Sequence, residues 1–141
     1  MTGFCEKKIR SKKQSNSKKN NLLRKKLIAQ AFEHHSKGDF KSAEKYYEKF
    51  VSNGFNDPRV YTNYAILFKE TSRESEALDL LDKLTDKYPN NPEFHAIISD
   101  IFRSQGKLEK AQESIEKAIN INPDVADYHF NLGLILSLIH I

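Results

Sequence analysis

Apolar residues recur along this chain at intervals of three and four, the spacing that places side chains on one face of an α-helix. Tyr61, Tyr64 and Phe68 form one such series, and similar series begin at Leu78 and Ile98. Each series ends at a glycine, a proline or a short polar segment. The pattern therefore predicts an all-α protein made of short helices joined by tight turns.

The helical pattern repeats every 34 residues. A step of 34 leads from Ala43 to Ala77 and then to Ala111, and the same step joins Pro89 to Pro123. Many coincident columns at one period indicate an internal repeat. Further columns at this period are Gly38, Ser72 and Gly106; Tyr47, Leu81 and Ile115; and the small residues Ala31, Ala65, Ser99 and Gly133.

Each period contains the signals of two helices. Asp57 and Asn91 stand directly before prolines, and this pairing of a capping side chain with a proline predicts the start of a helix. A turn follows at Gly38, Ser72 or Gly106, where a positive φ is cheapest for glycine. We therefore expect a helix–turn–helix unit whose two helices cross at the columns of small residues.

The segments GDFKSAEKYYEKF and QGKLEKAQESIEKAININPD resemble the second-helix signature of the tetratricopeptide repeat (TPR) family. The chain looks like the N-terminal repeat region of bacterial TPR proteins. The resemblance implies an α-α superhelix, the TPR solenoid, of about 3.5 helix–turn–helix repeats. The predicted TPR domain covers residues 22–141, with repeats at about 24–57, 58–91 and 92–125 and a half repeat at 126–141.

The chain closes on the apolar segment NLGLILSLIHI. A membrane-spanning helix needs about 20 apolar residues, so this segment is too short to be one. It matches the first helix of a fourth repeat starting near Ala126, and we expect a fragment truncated within that repeat. The final residues, 137–141, also resemble translated adapter sequence. An uncapped apolar helix of this kind favours self-association.

Charge is segregated along the chain. Residues 1–26 hold ten Lys or Arg against one acid, a net charge of +9, and the remainder has a net charge of −5. Residues 1–21 lack apolar periodicity and are predicted to be a disordered basic arm. Phe4 is the only aromatic residue before Phe32, so specific nucleic-acid binding is not expected. The arm has no secretory signal pattern, and the expected location is cytoplasmic.

No arrangement of residues indicates catalysis, a metal site or a cofactor. A glycine-rich phosphate loop, paired cysteines and a His-Glu-x-x-His motif are all missing, and Cys5 is the only cysteine. His95 and His129 lie one period apart, which is too far for one metal ion on stacked helices. The sequence therefore predicts a protein that is not an enzyme.

The family resemblance implies that the first helices of the repeats line a concave face that binds a peptide or helix of a partner protein. Heat-shock chaperone tails are not expected there, because only Asn63 fits the family's carboxylate clamp and Glu93 would repel a carboxylate. The face would carry these residues: Ile28, Phe32, His35, Arg59, Asn63, Ile66, Lys69, Glu70, Asp100 and Arg103.

Three functional interpretations remain open at this point. The first is a non-enzymatic interaction scaffold. The second is the N-terminal TPR region of a larger glycosyltransferase, methyltransferase or sulfotransferase. The third is an adaptor that is tethered to polyanions or to an anionic membrane through its basic arm.

Overall fold

The computed structural model describes residues 2–140, with side chains from residue 5 onward, and all regular structure in that range is α-helical. This confirms the predicted all-α class. Met1 and Ile141, the outer ends of the predicted arm and half repeat, lie outside the described residues. The helices are α1 (Thr2–Ser36), α2 (Phe40–Ser52), α3 (Pro58–Glu70), α4 (Glu74–Lys87), α5 (Pro92–Ser104), α6 (Leu108–Ile121) and α7 (Ala126–Ile139).

The turns between the paired helices have the backbone conformation that the repeat columns predict. Gly38, Ser72 and Gly106 have φ values of 77°, 59° and 74°. After α3, the N–H of Arg73 donates to the carbonyl of Phe68 at 2.8 Å, which closes the helix end. Ser72 adopts the same left-handed conformation without being a glycine.

The predicted helix starts are also confirmed. The Asp57 side chain accepts a hydrogen bond from the N–H of Arg59 at 3.0 Å, ahead of α3. The Asn91 side chain accepts one from the N–H of Glu93 at 3.1 Å, ahead of α5. Each cap satisfies a backbone donor that has no partner inside the helix.

Small residues lie where the two helices of a pair cross. Ala65 and Ala77 are fully buried. In the next pair, the Ser99 hydroxyl on α5 donates to the carbonyl of Ala111 on α6 at 2.8 Å. Because a serine hydroxyl is short, this bond forms only where the two backbones approach closely. The crossing therefore lies at the predicted columns.

The chain divides into two compact units, Met1–Asn56 and Asp57–Ile141. In the first unit α2 packs against α1, and the buried side chains include Leu27, Tyr47 and Phe50. In the second unit α3 packs against α4 and α5, and α6 packs against α5 and α7. One core cluster of this second unit consists of Ala111, Ile115, Ala118, Tyr128 and Ile135.

Residues 2–21 are helical and continue α1 without a break, in contrast to the disordered arm predicted from the sequence. No proline or glycine interrupts the chain between Gly3 and Gly38. Lys, Arg and Gln favour helices, and extending an existing helix costs less than starting one. The side chains of residues 5–21 are all exposed, so this part of α1 has no packed face and depends mainly on the hydrogen bonds of its own backbone.

Candidate functional site

Three of the predicted partner-binding residues come together within the second unit. The Lys69 ammonium on α3 lies 3.7 Å from the Asp100 carboxylate on α5. Arg103, one turn further along α5, donates to the other oxygen of that carboxylate at 3.3 Å. We call these three residues the charged cluster.

The ion pairs of the charged cluster contribute little to the stability of the fold. Its ion pairs remain partly open to solvent, and such pairs contribute about 0–1 kcal/mol each. Within the described part of the chain, the Nε of Arg103 is shielded from solvent and has no acceptor. Asp100 therefore satisfies only part of the hydrogen-bonding capacity of this guanidinium.

The opposite end of the same face is acidic. The Thr62 hydroxyl on α3 donates to the Glu93 carboxylate on α5 at 3.3 Å, which links the first turns of the two helices. Burial raises the pKa of Tyr128 on α7, and the charges of Glu93 and Asp127 raise it further. These two carboxylates therefore lie close to Tyr128, where α5 and α7 begin.

Apolar side chains also lie on these three helices. Ile66 and Ala96 are half-buried on α3 and α5, whereas the Phe130 side chain on α7 is 67% exposed. Phe130 is absent from the predicted site. The repeat period contains the missing signal, because a step of 34 leads from Ile28 to Thr62, to Ala96 and then to Phe130.

Other predicted residues on α3 lie outside the charged cluster. The Arg59 guanidinium binds the Asp57 carboxylate through two nitrogens, at 3.2 and 2.7 Å, and Asp57 raises the pKa of Arg59. Since Asp57 caps α3, Arg59 supports the helix start. Asn63 is half-buried and Glu70 is exposed.

The predicted residues on α1 belong to the first unit. Ile28 and Phe32 are half-buried. The Nδ1 atom of His35 lies 2.7 Å from the Tyr47 hydroxyl on α2, and the His35 ring makes edge contacts with Tyr47 and Phe40. The imidazole of His35 thus faces its partner helix and holds the α1–α2 pair together.

No group of three or more metal-ligating side chains gathers among the described residues. His95 is half-buried, and burial together with the charge of Lys117 lowers its pKa. His129 is exposed, with its Nε2 atom 2.7 Å from the Pro123 carbonyl. Within residues 2–140, no helix has both the length and the apolar character needed to cross a membrane.

Comparison with known proteins assigns the repeats to a family. Family models described as TPR or tetratricopeptide repeats match residues 27–53, 60–91 and 100–138. Human protein O-mannosyl-transferase TMTC1 is 31% identical over 103 residues, which is 68% of this chain and 11% of that protein. The chain thus spans about a tenth of this relative's length.

Solved structures have the same fold. The first TPR of Spaghetti (RPAP3), bound to an HSP90 peptide, gives a TM-score of 0.75 at 16% identity and covers 85% of this chain and 95% of that one. PcrH bound to the chaperone binding region of PopD gives a TM-score of 0.67 at 14% identity, covering 86% and 90%. With its 34-residue period, its paired helices and these matches, the chain belongs to the tetratricopeptide repeat family.

Proposed function

We propose that this chain is a non-enzymatic scaffold that binds an amphipathic segment of a partner protein on the face of α3, α5 and α7. The observation that carries the proposal is the exposed Phe130 ring on α7, in the same unit as the charged cluster of α3 and α5. Aromatic and arginine side chains are enriched among the residues that dominate the binding energy of protein interfaces. Two structural neighbours, RPAP3 and PcrH, hold a peptide and a protein region respectively.

The charges of this face define the segment that it would accept. Glu93 and Asp127 favour a basic group near the start of the helices, and the partly exposed guanidinium of Arg103 favours an acidic group at the other end. An acidic chaperone tail of the kind that RPAP3 holds is disfavoured, because Glu93 would face a carboxylate.

A peptide array tests this proposal. Burial of a Phe side chain contributes about 1.5–3 kcal/mol, so Phe130→Ser should weaken binding of amphipathic hits about tenfold or more. Asn63→Ala and Arg103→Ala should also weaken it, while Asp86→Asn on the exposed side of α4 is the matched control. Hits that bind all of these variants equally well would refute the proposal.

The array should also include Phe32→Ala in the first unit. This residue is half-buried on α1. Loss of binding in this variant, with the same peptides, would show that Phe32 also contributes to binding. Unchanged binding would limit the site to α3, α5 and α7.

The similarity to TMTC1, a transferase, favours a second candidate: the chain is the repeat region of a larger enzyme and presents substrate proteins to a catalytic domain elsewhere. This candidate predicts a transferase domain in the same open reading frame. Sequencing the complete gene tests it, and an open reading frame that encodes repeats alone would contradict it.

The basic part of α1 supports a third candidate, tethering to polyanions. Its exposed side chains carry most of the net +9 charge of residues 1–26 on a helix without an apolar face. Binding to heparin or to anionic vesicles should weaken steeply as salt is added, because the attraction depends on counterion release. Binding that is independent of salt would exclude this electrostatic mechanism.

A further inference from the structure

The second unit has a groove on a different face of α5 from the charged cluster. It has a volume of about 400 Å³ and lies between α4 and α6, with α5 beneath. The lining runs from Leu78 to Thr85 on α4 and from Lys110 to Lys117 on α6. Each wall is thus about 10 Å long, or two helical turns at 1.5 Å per residue.

The floor of this groove is mainly apolar. Ile98 and Phe102 of α5 lie on it, both half-buried, and Leu78 extends it along the base of α4. His95 lies at one end of the floor, and burial lowers its pKa, so its imidazole is neutral at pH 7. A strip of apolar side chains two turns long would cover this floor.

The two walls carry opposite charges. Asp79 and Asp82 lie one turn apart on α4, and both are exposed. Lys110 and Lys117 lie two turns apart on α6, with Glu113 between them. The groove is therefore acidic along one edge and predominantly basic along the other.

The charges of the two walls do not neutralise each other. None of the ion pairs found among the described residues joins α4 to α6 across the groove. The Lys110 ammonium instead lies over the Phe102 ring, 5.6 Å from its centroid. The carboxylates of Asp79 and Asp82 and the ammonium of Lys117 are thus available to an incoming molecule.

We propose that the groove between α4 and α6 docks a helix of a partner protein with an apolar strip two turns long. That helix carries Lys or Arg along the edge facing α4 and Asp or Glu along the edge facing α6. Charge complementarity along both walls, together with an apolar floor of matching length, specifies this occupant. The surface is separate from the face of α3, α5 and α7, so the scaffold would hold two partner segments at once.

Three synthetic helical peptides with the same leucine strip test this proposal on the whole 141-residue chain. One peptide has lysines along one edge and glutamates along the other, the second has lysines along both edges, and the third has glutamates along both. NMR titration of the labelled protein locates each peptide and measures its affinity. The two-signed peptide should bind three- to tenfold more tightly than the others, since each partly exposed ion pair contributes about 0.2–1 kcal/mol. The shifts should map to α4, α5 and α6.

Variants separate the two walls. Asp79→Asn combined with Asp82→Asn should remove the preference for the two-signed peptide over the doubly acidic one. Lys117→Gln should remove its preference over the doubly basic one. Asp86→Asn on α4, outside the groove, is the matched control and should retain both preferences. All of these positions are exposed, so the variants should keep the wild-type spectrum.

Two results would overturn the proposal. One is equal affinity for the three peptides. The other is a shift pattern on α3 and α7 that Phe130→Ser abolishes, which would place the peptides on the other face. If the groove peptides fail to bind while the array hits still depend on Phe130, this inference alone is refuted. If the groove peptides bind as expected while the array hits do not depend on Phe130, the proposed function alone is refuted.

Discussion

At the scale of single residues, Ser72 is the departure from the repeat pattern with the clearest energetic consequence. Its φ of 59° is in the left-handed region, where the equivalent positions are Gly38 and Gly106. Residues with a Cβ pay about 1–2 kcal/mol for this conformation. The turn between α3 and α4 is therefore the one whose closing residue is strained.

Ser72→Gly should stabilise the protein by roughly 0.5–1 kcal/mol, because relief of the strain outweighs the greater freedom of glycine in the unfolded chain. Urea unfolding measures the change. Ser75→Gly within α4 is the matched control, and it should destabilise by about 0.5–1 kcal/mol. A destabilised Ser72→Gly variant would contradict the strain argument.

His95 should make stability depend on pH. Its pKa is lowered by burial, and also by Lys117, so the folded state favours the neutral ring. The contribution of the neutral His95 ring to the free energy of unfolding is complete above the unfolded-state pKa of about 6.5. It is lost as the pH falls through that value and through the lower pKa of the folded state. Asp79, Asp82, Lys110 and Glu113 line the same groove as His95.

Urea unfolding at pH 7.5 and pH 5.5 tests this dependence at roughly one pH unit to either side of the ordinary pKa of histidine. The free energy of unfolding should be lower at the acidic pH, and His95→Gln should reduce this difference. His140→Gln, at an exposed position after α7, is the matched control and should keep the wild-type difference. The same slope in wild type and His95→Gln would exclude His95 as the cause.

At the scale of helices, the close crossing within each pair determines which positions tolerate change. Ala77 is fully buried opposite α3, and the Ser99–Ala111 hydrogen bond marks the equivalent crossing one repeat later. Ala77→Leu should destabilise by about 1–3 kcal/mol through overpacking. Ala126→Leu, at the exposed start of α7, should change stability little. A wild-type melting temperature for Ala77→Leu would show that the α3–α4 crossing lies elsewhere.

The first helix shows what periodicity reveals and what it misses. The apolar spacing predicts the helix that contains Leu27 and Ala31, both buried in the structure. Residues 2–21 have no such spacing, yet they are helical. Periodicity reports burial of one helix face and not helicity itself, so an exposed helix without an apolar face has no periodic signal.

The sequence predicts only part of the candidate site, because periodicity does not determine how side chains pack between helices. The repeat register places Lys69, Asp100 and Arg103 on one face, and the structure brings their charges together. The same register does not show that His35 turns towards Tyr47, because that orientation depends on side-chain packing between α1 and α2. The register likewise does not show that the Arg59 guanidinium binds Asp57, the residue that caps α3.

At the scale of the whole molecule, the positive charge and the large exposed apolar residues of α7 lie at opposite ends of the sequence. The basic residues concentrate in α1, and the exposed large apolar residues of α7 are Phe130 and Leu138, which are 67% and 44% exposed. A helix that is apolar on most of its surface is normally covered. We expect α7 to associate with a second copy of the chain.

Light scattering over a range of concentrations tests this self-association. The average mass of the wild-type chain should rise with concentration, and sulfate should strengthen the effect because it favours burial of apolar surface. Phe130→Ser with Leu138→Ser should reduce association, whereas Val51→Ser at an exposed position of α2 is the matched control. A monomer at every concentration would contradict the expectation.

The sequence by itself determined the repeat period, the helix pairs, the caps at Asp57 and Asn91, and the turns at Gly38 and Gly106. The caps and turns depend on local backbone chemistry, which particular residue types indicate. The helix pairs depend on the burial of one helix face, which produces a periodic pattern of apolar residues. Only the tertiary structure decided that Lys69 meets Asp100 and that a groove with oppositely charged walls opens between α4 and α6. These features depend on the distances and angles between packed helices, and the spacing of residues along one helix does not encode them.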